Sequence, residues 1–375
     1  MKILLSEYYY QVLLFFFFSH GALYFLSGDV YNPENPIKIF KYILALLIVS
    51  VPIVKSKIQS ISYLMLFGFL SYLIFTIVLY FLQGLSAFPV ITFLMPVSFF
   101  FLVDTLKYES LLKILKFVIY LSTFFSLIEF VFLKSISERF SSTGFRSISI
   151  FVNPNNFAIF ISLSLSLLLG SASNVYKNSR FFILGCCAIS VVLSGSMTGA
   201  VLFFILFLAQ MFVIVRTKAK VKVYYKIALV ALLGFTALSF LSLSINLGSY
   251  VRKADSVGMD NVTARIDYLQ HFITDVAGNL IYPLINQPDM YADNAFIYAW
   301  INIGFIGLSF ILLILFSMLY LAVMNKSKRK YLYFILCIFL SALTTNIFNI
   351  WPIAYLFWLV VGYVFYKPIA DKQVA

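Results

Sequence analysis

The chain has 375 residues, 62% hydrophobic, 19% aromatic and only 11% charged, with a mean hydropathy of +0.99 and a formal net charge of +13. A soluble globular domain needs roughly 25% charged residues to cover its surface, so this composition excludes one. Cys186, Cys187 and Cys337 all fall inside apolar runs, which excludes a disulfide framework or a zinc-ligand pattern and leaves them as small packing residues.

Apolar runs close to the roughly 20 residues that cross a bilayer as helix recur along most of the chain. They predict twelve spans, at 8–27, 37–54, 61–82, 88–104, 111–133, 149–171, 181–195, 198–215, 227–246, 295–324, 331–347 and 353–366. The first run, MKILLSEYYYQVLLFFFF, has one lysine, a glutamate and no small-x-small cleavage site before Gly28, so it reads as an uncleaved span. The expected fold class is all-α. It is a polytopic integral membrane protein, one domain over residues 1–375, with extracytoplasmic loops at about 134–148 and 247–294.

Charge sets the expected orientation. With a cytoplasmic N-terminus, 19 of the 27 basic residues fall in inside loops and 8 outside, so the positive-inside rule puts both termini in the cytoplasm. Nine of the 14 acids lie outside, and Glu129 alone sits deep in a span. The net charge needs no nucleic-acid partner, because short basic loops facing an anionic leaflet account for it. Six of the eight outside cations fall in two loops: Lys134, Arg139 and Arg146 in one, Arg252, Lys253 and Arg265 in the other.

In the long loop, Val262, Ile266, Leu269 and Ile273 recur at i, i+4, i+7 and i+11, one apolar stripe of an amphipathic helix. Asp267 and His271 fall on the opposite face, while Arg265 and Tyr268 flank the stripe. Arg265 there either snorkels at a membrane surface or turns into the bundle, where a guanidinium clamps a phosphate bidentately. His271 is either solvated or an acid/base group. Pro283 and Pro288 then break the chain, and the next span opens behind Asp293-Asn294, with Asp293 a candidate helix cap. Gly304 and Gly307 in that span are expected to let helices approach closely. Glu129 and His20 are intramembrane ionisable groups, either functional or buried and hydrogen-bonded. Asn153, Asn155 and Asn156, around Pro154, either hold a helix end or bind sugar hydroxyls.

Three stretches in order, GFRSISIFVNPNNFAIFISLSLSLLL (144–169), VVLSGSMTGAVLFFIL (191–206) and TARIDYLQHFITDVAGNLIYPLINQPDMYADNAFIYAWINIGFIG (263–307), carry a family pattern. An arginine precedes an Asn-Pro-Asn-Asn helix entry, a Ser-Gly-Ser turn joins two short spans, and an arginine helix leads to Asp-Asn before a glycine-containing span. The chain thereby resembles the bacterial O-antigen and capsule repeat-unit polymerases of the Wzy type, relatives of the O-antigen ligases. The ligase branch carries a histidine where this chain has Asp293, which favours polymerase over ligase. An Arg-x10-Gly spacing found in some family loops is not met, since the residue eleven after Arg265 is Val276.

The resemblance implies glycosyl transfer from an undecaprenyl-pyrophosphate-linked glycan donor to a lipid-linked acceptor, on the outer face of the bacterial inner membrane. It implies no cofactor, and, as partners, the two lipid-linked glycans, the bilayer and a chain-length regulator protein. The leaving group is a lipid pyrophosphate, so the site must stabilise charge developing on a phosphate oxygen. No Asp-x-Asp metal motif occurs, and arginines take its place. Arg265 and Asp293 are the expected catalytic residues, clamp and general base. Arg146, Arg139, Arg252, Tyr268, His271, Asn294 and Asn153 are the expected substrate contacts. Asp267, His271 and Glu129 are further candidates for the base. An O-antigen ligase and a lipid-linked oligosaccharide flippase or transporter are the alternative functions.

Overall fold

A computed structural model describes residues 2–23, 36–55, 61–132, 146–151, 153–171, 179–216 and 294–365. Among the described residues every regular element is helical. The α-helices are α1 (Lys2–Ser19), α2 (Pro36–Lys55), α3 (Ile61–Leu82), α4 (Phe88–Val97), α5 (Tyr108–Val131), α6 (Pro154–Gly170), α7 (Arg180–Ser194), α8 (Met197–Arg216), α9 (Ala295–Met324), α10 (Leu332–Thr344) and α11 (Ile353–Phe365). Short 3-10 turns follow α1 (His20–Leu23) and α4 (Ser98–Asp104) and precede α10 (Arg329–Tyr331). The expected span 227–246 and the amphipathic helix of the long loop lie outside the described residues.

Among the described residues, three helical stretches are long and apolar enough to cross a membrane, Met65–Leu82, Tyr108–Val131 and Ala295–Met324; the apolar stretches of the other helices are shorter. The outer surface is apolar too. Phe67, Phe81, Phe117, Phe124, Phe182 and Phe316 are all exposed. Soluble monomers rarely show contiguous apolar patches on that scale, and lipid is the solvent that suits them. The bundle's apolar helices and apolar outer surface suit association with a membrane.

Two helices form its centre. From Ile353 to Val364, α11 is buried on every face, as expected of a helix apolar all round. It packs against the turn Ser98–Asp104, where Gly362 admits the backbone: a Cβ there would meet the Phe100 carbonyl oxygen at 2.6 Å. The second, α6, is buried from Phe157 to Leu168 and touches α5, α7, α8 and α10. Its contact with α8 needs Gly199, since a Cβ would lie 2.2 Å from the Ala158 methyl. Aromatic rings fill the space between these helices, with Phe17 of α1 against Phe99 at 5.0 Å and Tyr355 at 4.9 Å.

The longest helix is broken. Gly304 has φ 68° and ψ 175°, a conformation essentially reserved for glycine. Rather than easing a helix contact as the sequence suggests, it kinks α9. The kink leaves carbonyls without helical partners, and in an apolar medium these must be satisfied internally. Two tyrosines of α3 do so: Tyr72 donates to the Ile303 carbonyl at 2.7 Å and Tyr80 to that of Asn302 at 3.2 Å.

Helices run alternately, so the bundle has two unlike ends. One gathers the start of α5, the end of α6, the ends of α9 and α11, and Lys107, Lys328 and Lys330. We call it the basic end. The other gathers the ends of α1, α5, α7 and α10 and the starts of α6, α8, α9 and α11. Its chemistry is mainly hydrogen bonding, and it is the polar end.

Candidate functional site

The candidate site is the polar end, built on the segment Arg146–Asn153 that precedes α6. The sequence suggests a span from residue 149, but the helix starts at Pro154. The reason is local. Asn153 is the extended N-cap, its Oδ1 accepting the Asn155 N–H at 2.7 Å, and Pro154 occupies the first turn, where a missing N–H costs nothing. Before it, Ile148–Phe151 forms a turn closed by the Phe151 N–H on the Ile148 carbonyl at 2.8 Å. Ser149 in that turn has φ 49°, a left-handed conformation unusual for a non-glycine residue.

What holds Ser149 there is Glu129. The α5 positions 122, 126 and 129 fall on one helical face, and Ser122, Ser126 and Glu129 are all fully buried. Glu129 Oε2 accepts the Ser149 N–H at 2.8 Å and the Ser147 hydroxyl. The Ser149 hydroxyl donates to the Ser122 carbonyl at 2.6 Å, and the Ser147 N–H to the Leu193 carbonyl at 2.9 Å. Of the two sequence readings of Glu129, burial with hydrogen bonds is the one the geometry displays. The carboxyl organises the turn that precedes α6.

Arg146 stands at the entrance to that turn, half-buried. Its Nε donates to the Ser194 carbonyl at 3.0 Å and its Nη2 to Asn155 Oδ1 at 3.0 Å. The first acceptor is in the last turn of α7, where carbonyls lack intrahelical partners and a cation is favoured. Gly195 ends α7 in the left-handed conformation (φ 60°). The Ser196 hydroxyl then accepts the Gly199 N–H at 3.3 Å to open α8. The Ser-Gly-Ser turn of the sequence is thus a C-cap followed by an N-cap, with Arg146 fastened to its first residue.

Two further groups approach the segment. The His20 ring is buried, its Nδ1 2.9 Å from the Phe17 carbonyl and its face 4.3 Å from Trp351 in edge-on contact. Gly21 next to it is forced, since a Cβ would sit 1.7 Å from the Ile150 carbonyl oxygen. From the other side comes the stretch Thr345–Pro352 between α10 and α11. Asn346 Oδ1, Asn349 Oδ1 and Trp351 Nε1 are buried there without a hydrogen-bond partner among the described residues. The Asn349 amide donates to Thr92 at 3.3 Å, and Phe151 packs 5.7 Å from Trp351.

Asn294 is the N-cap of α9. Its Oδ1 accepts the N–H groups of Phe296 at 2.9 Å and Ile297 at 3.2 Å, and its amide reaches the Leu343 carbonyl at 3.2 Å. The residue capping this helix is therefore Asn294, and Asp293, the expected candidate, lies outside the described residues. Thr198 and Thr344 join α8 to α10 at 3.1 Å nearby. Of the sequence-predicted residues, then, Arg146, Asn153 and Asn294 are all at the polar end, two of them as helix caps. Arg139, Arg252, Arg265, Tyr268 and His271 lie outside the described residues, as does Asp293.

Comparison with protein-family models, characterised proteins and solved structures finds no match to this chain. The residues that sequence reasoning passed over are Ser147, Ser149, Asn346, Asn349 and Trp351. Ser147 and Ser149 alternate with isoleucines in RSISIF, and TTNIFNIWP lies in an uncharged loop. The available signal was side-chain amides and hydroxyls set into runs of otherwise apolar residues.

Chemically, the polar end offers a fixed guanidinium, a buried carboxyl two connections away, and uncommitted amide oxygens. The guanidinium suits an anionic group, and amide oxygens suit hydroxyl donors.

Proposed function

We propose that the chain polymerises undecaprenyl-pyrophosphate-linked oligosaccharide repeat units into O-antigen or capsular polysaccharide. In this reading it crosses the bacterial inner membrane twelve times with both termini cytoplasmic, and the polar end faces outward. The observation that carries the reading is Arg146, pinned by the Ser194 carbonyl and Asn155 at the polar end of the bundle, where charge is otherwise scarce among the described residues. A guanidinium held at two points is pre-organised for a phosphate, and reorganising less on reaction is what makes electrostatic stabilisation effective. The outside loops that carry Arg139, Arg252 and Arg265 flank the segments ending at this face.

The chemistry follows from the charges. A sugar hydroxyl of the acceptor attacks the anomeric carbon of the donor. The new C–O bond forms as the bond from that carbon to the pyrophosphate oxygen breaks, and the electron pair leaves with the lipid pyrophosphate. Arg265, with Arg146, stabilises that departing charge. Asp293 takes the hydroxyl proton. Asn153 and Asn294 define helix mouths past which glycan is threaded. This mechanism uses no metal.

A lipid-linked oligosaccharide transporter is the second reading, and one observation favours it. Ser126, without a hydrogen-bond partner among the described residues, and Glu129 are polar groups buried within the long apolar α5. Deleting the gene in its host and resolving surface glycan on a gel separates the readings. A polymerase defect leaves a single repeat unit on the lipid core, restored by the wild-type gene and not by Arg265→Ala or Arg146→Ala. Bare core with accumulating lipid-linked polymer identifies a ligase. Normal chain lengths with failed export of a solute end the polymerase proposal.

A further inference from the structure

At the basic end, between the last turns of α9 and the end of α11, lies a cavity of about 510 Å³. Phe316, Ser317, Tyr320 and Phe365 wall most of it, and Asn325 and Lys328 close one side. Phe316 and Tyr320 are exposed, so the cavity adjoins the apolar outer surface of α9. Between Phe316 and Tyr331 the chain has four basic residues and no acidic one.

Lys328 is held in position. Asn325 caps α9, its side chain accepting the Ser327 N–H at 3.0 Å, and its carbonyl takes the Lys328 N–H at 3.0 Å. The ammonium donates to the Tyr363 carbonyl at 2.7 Å. Burial, and secondarily the charge of Lys330, push the Lys328 ammonium down to about 8. A cation is thus kept partly out of water beside a hollow of ligand size.

We propose that this cavity holds the headgroup of an anionic glycerophospholipid, its phosphate beside Lys328 and its acyl chains along the exposed face of α9. The shape fits: a polar pole at a helix end, the exposed apolar side chains Leu313 and Phe316 on the same helix, and exposed Tyr320 at the level where aromatic rings meet headgroups. The charge fits as well, because basic pockets between helices attract anionic lipids at about one lysine's worth of affinity per contact. The site stands apart from the polar end and does not depend on the glycan reading.

Lys328 also complements the C-terminal dipole of α11, so the test must separate packing from binding. The full chain, purified in detergent, is titrated with phosphatidylglycerol and, separately, phosphatidylcholine, and retained lipid is read by native mass spectrometry. Phosphatidylglycerol is expected to bind the wild type in preference. Lys328→Gln is expected to weaken it about fivefold. Ser317→Phe, which narrows the hollow and leaves the Lys328–Tyr363 contact intact, is expected to abolish it. Equal retention of the two lipids overturns the proposal, as does phosphatidylglycerol binding unchanged in Ser317→Phe. Displacement of the lipid by an equal concentration of inorganic phosphate reassigns the site to a free anion and overturns it too.

Discussion

The two ends of the bundle handle polarity in opposite ways. At the polar end, charge is scarce and at least partly buried: Glu129 is 1% exposed and accepts from Ser147 and Ser149, and half-buried Arg146 donates to acceptors on two different helices. At the basic end, charge is plentiful and mostly wet. The Lys107–Glu7 pair at 2.9 Å has a lysine 74% exposed, and Arg329 and Lys326 are open to solvent. A buried polar group left unpaired costs far more than a surface ion pair contributes. The polar end should therefore be intolerant of substitution and the basic end forgiving, which suits a site at one end and membrane orientation at the other.

The sharpest way to break that contrast is Glu129→Ala. It strands the Ser149 N–H and the Ser147 hydroxyl in the interior, at about 1–3 kcal/mol each. A fall of several degrees in the Tm of the purified chain is expected, with Glu129→Gln, which keeps an acceptor oxygen, recovering much of it. Equal Tm for the alanine variant and the wild type would remove Glu129 from the organisation of the turn.

Next comes the pair Arg146 and Asn155. A double-mutant cycle, Arg146→Ala against Asn155→Ala, is expected to give a coupling of about 1–2 kcal/mol from chemical denaturation in micelles. Additive losses would mean that the guanidinium is not held by this amide.

Lys328 is the exception at the basic end, and pH exposes it. Its folded-state value of about 8 lies below the ordinary 10.5, so between these values the unfolded chain binds more protons. Stability gained from this group is complete above the unfolded value and lost as pH falls through about 8. The Tm of the wild type should rise relative to that of Lys328→Met as pH increases from 8 to 10, and parallel curves would deny the burial of this ammonium.

The smallest effect belongs to Glu7→Gln. It removes the ion pair with exposed Lys107 while the Ser110 hydroxyl, now 2.8 Å from Glu7 Oε1, keeps an acceptor. A change below about 1 kcal/mol is expected. A larger loss in the same denaturation measurement would make the two ends alike.

Much of the architecture is legible in the sequence. The expected spans 61–82 and 295–324 coincide with Ile61–Leu82 and Ala295–Met324, because long uninterrupted apolar runs leave few alternatives to a helix. The three cysteines are buried and unpaired by disulfides, as their apolar settings imply. The interruptions were not legible. Hydropathy treats Ile148, Ile150 and Phe151 like any helical residues, yet they belong to a turn because Glu129, some twenty residues away, supplies its acceptor. Gly304 reads as a packing residue, and only the tyrosines of α3, more than 200 positions distant, make its kink tolerable. The tightening of the chain after α1 and α4 into 3-10 turns is hidden for the same reason: side-chain polarity does not change there. Of the site, helix caps at Asn153 and Asn294 were within reach, since an Asn before an apolar run has a local meaning. Trp351 acquires its meaning only when the stretch between α10 and α11 brings it beside His20 and Phe151, and Asn349 when that stretch meets Thr92.

The central claim is that the polar end performs glycosyl transfer between lipid-linked sugars. Its most direct test is reconstitution. The purified chain is placed in liposomes with the host's undecaprenyl-pyrophosphate-linked repeat unit, and the released glycan is sized by mass spectrometry. The account predicts a ladder of multiples of the repeat, with stoichiometric free undecaprenyl pyrophosphate, from the wild type and not from Arg146→Ala that retains a wild-type circular dichroism spectrum. Unextended repeat units with intact lipid pyrophosphate, from protein shown to be folded, would contradict it.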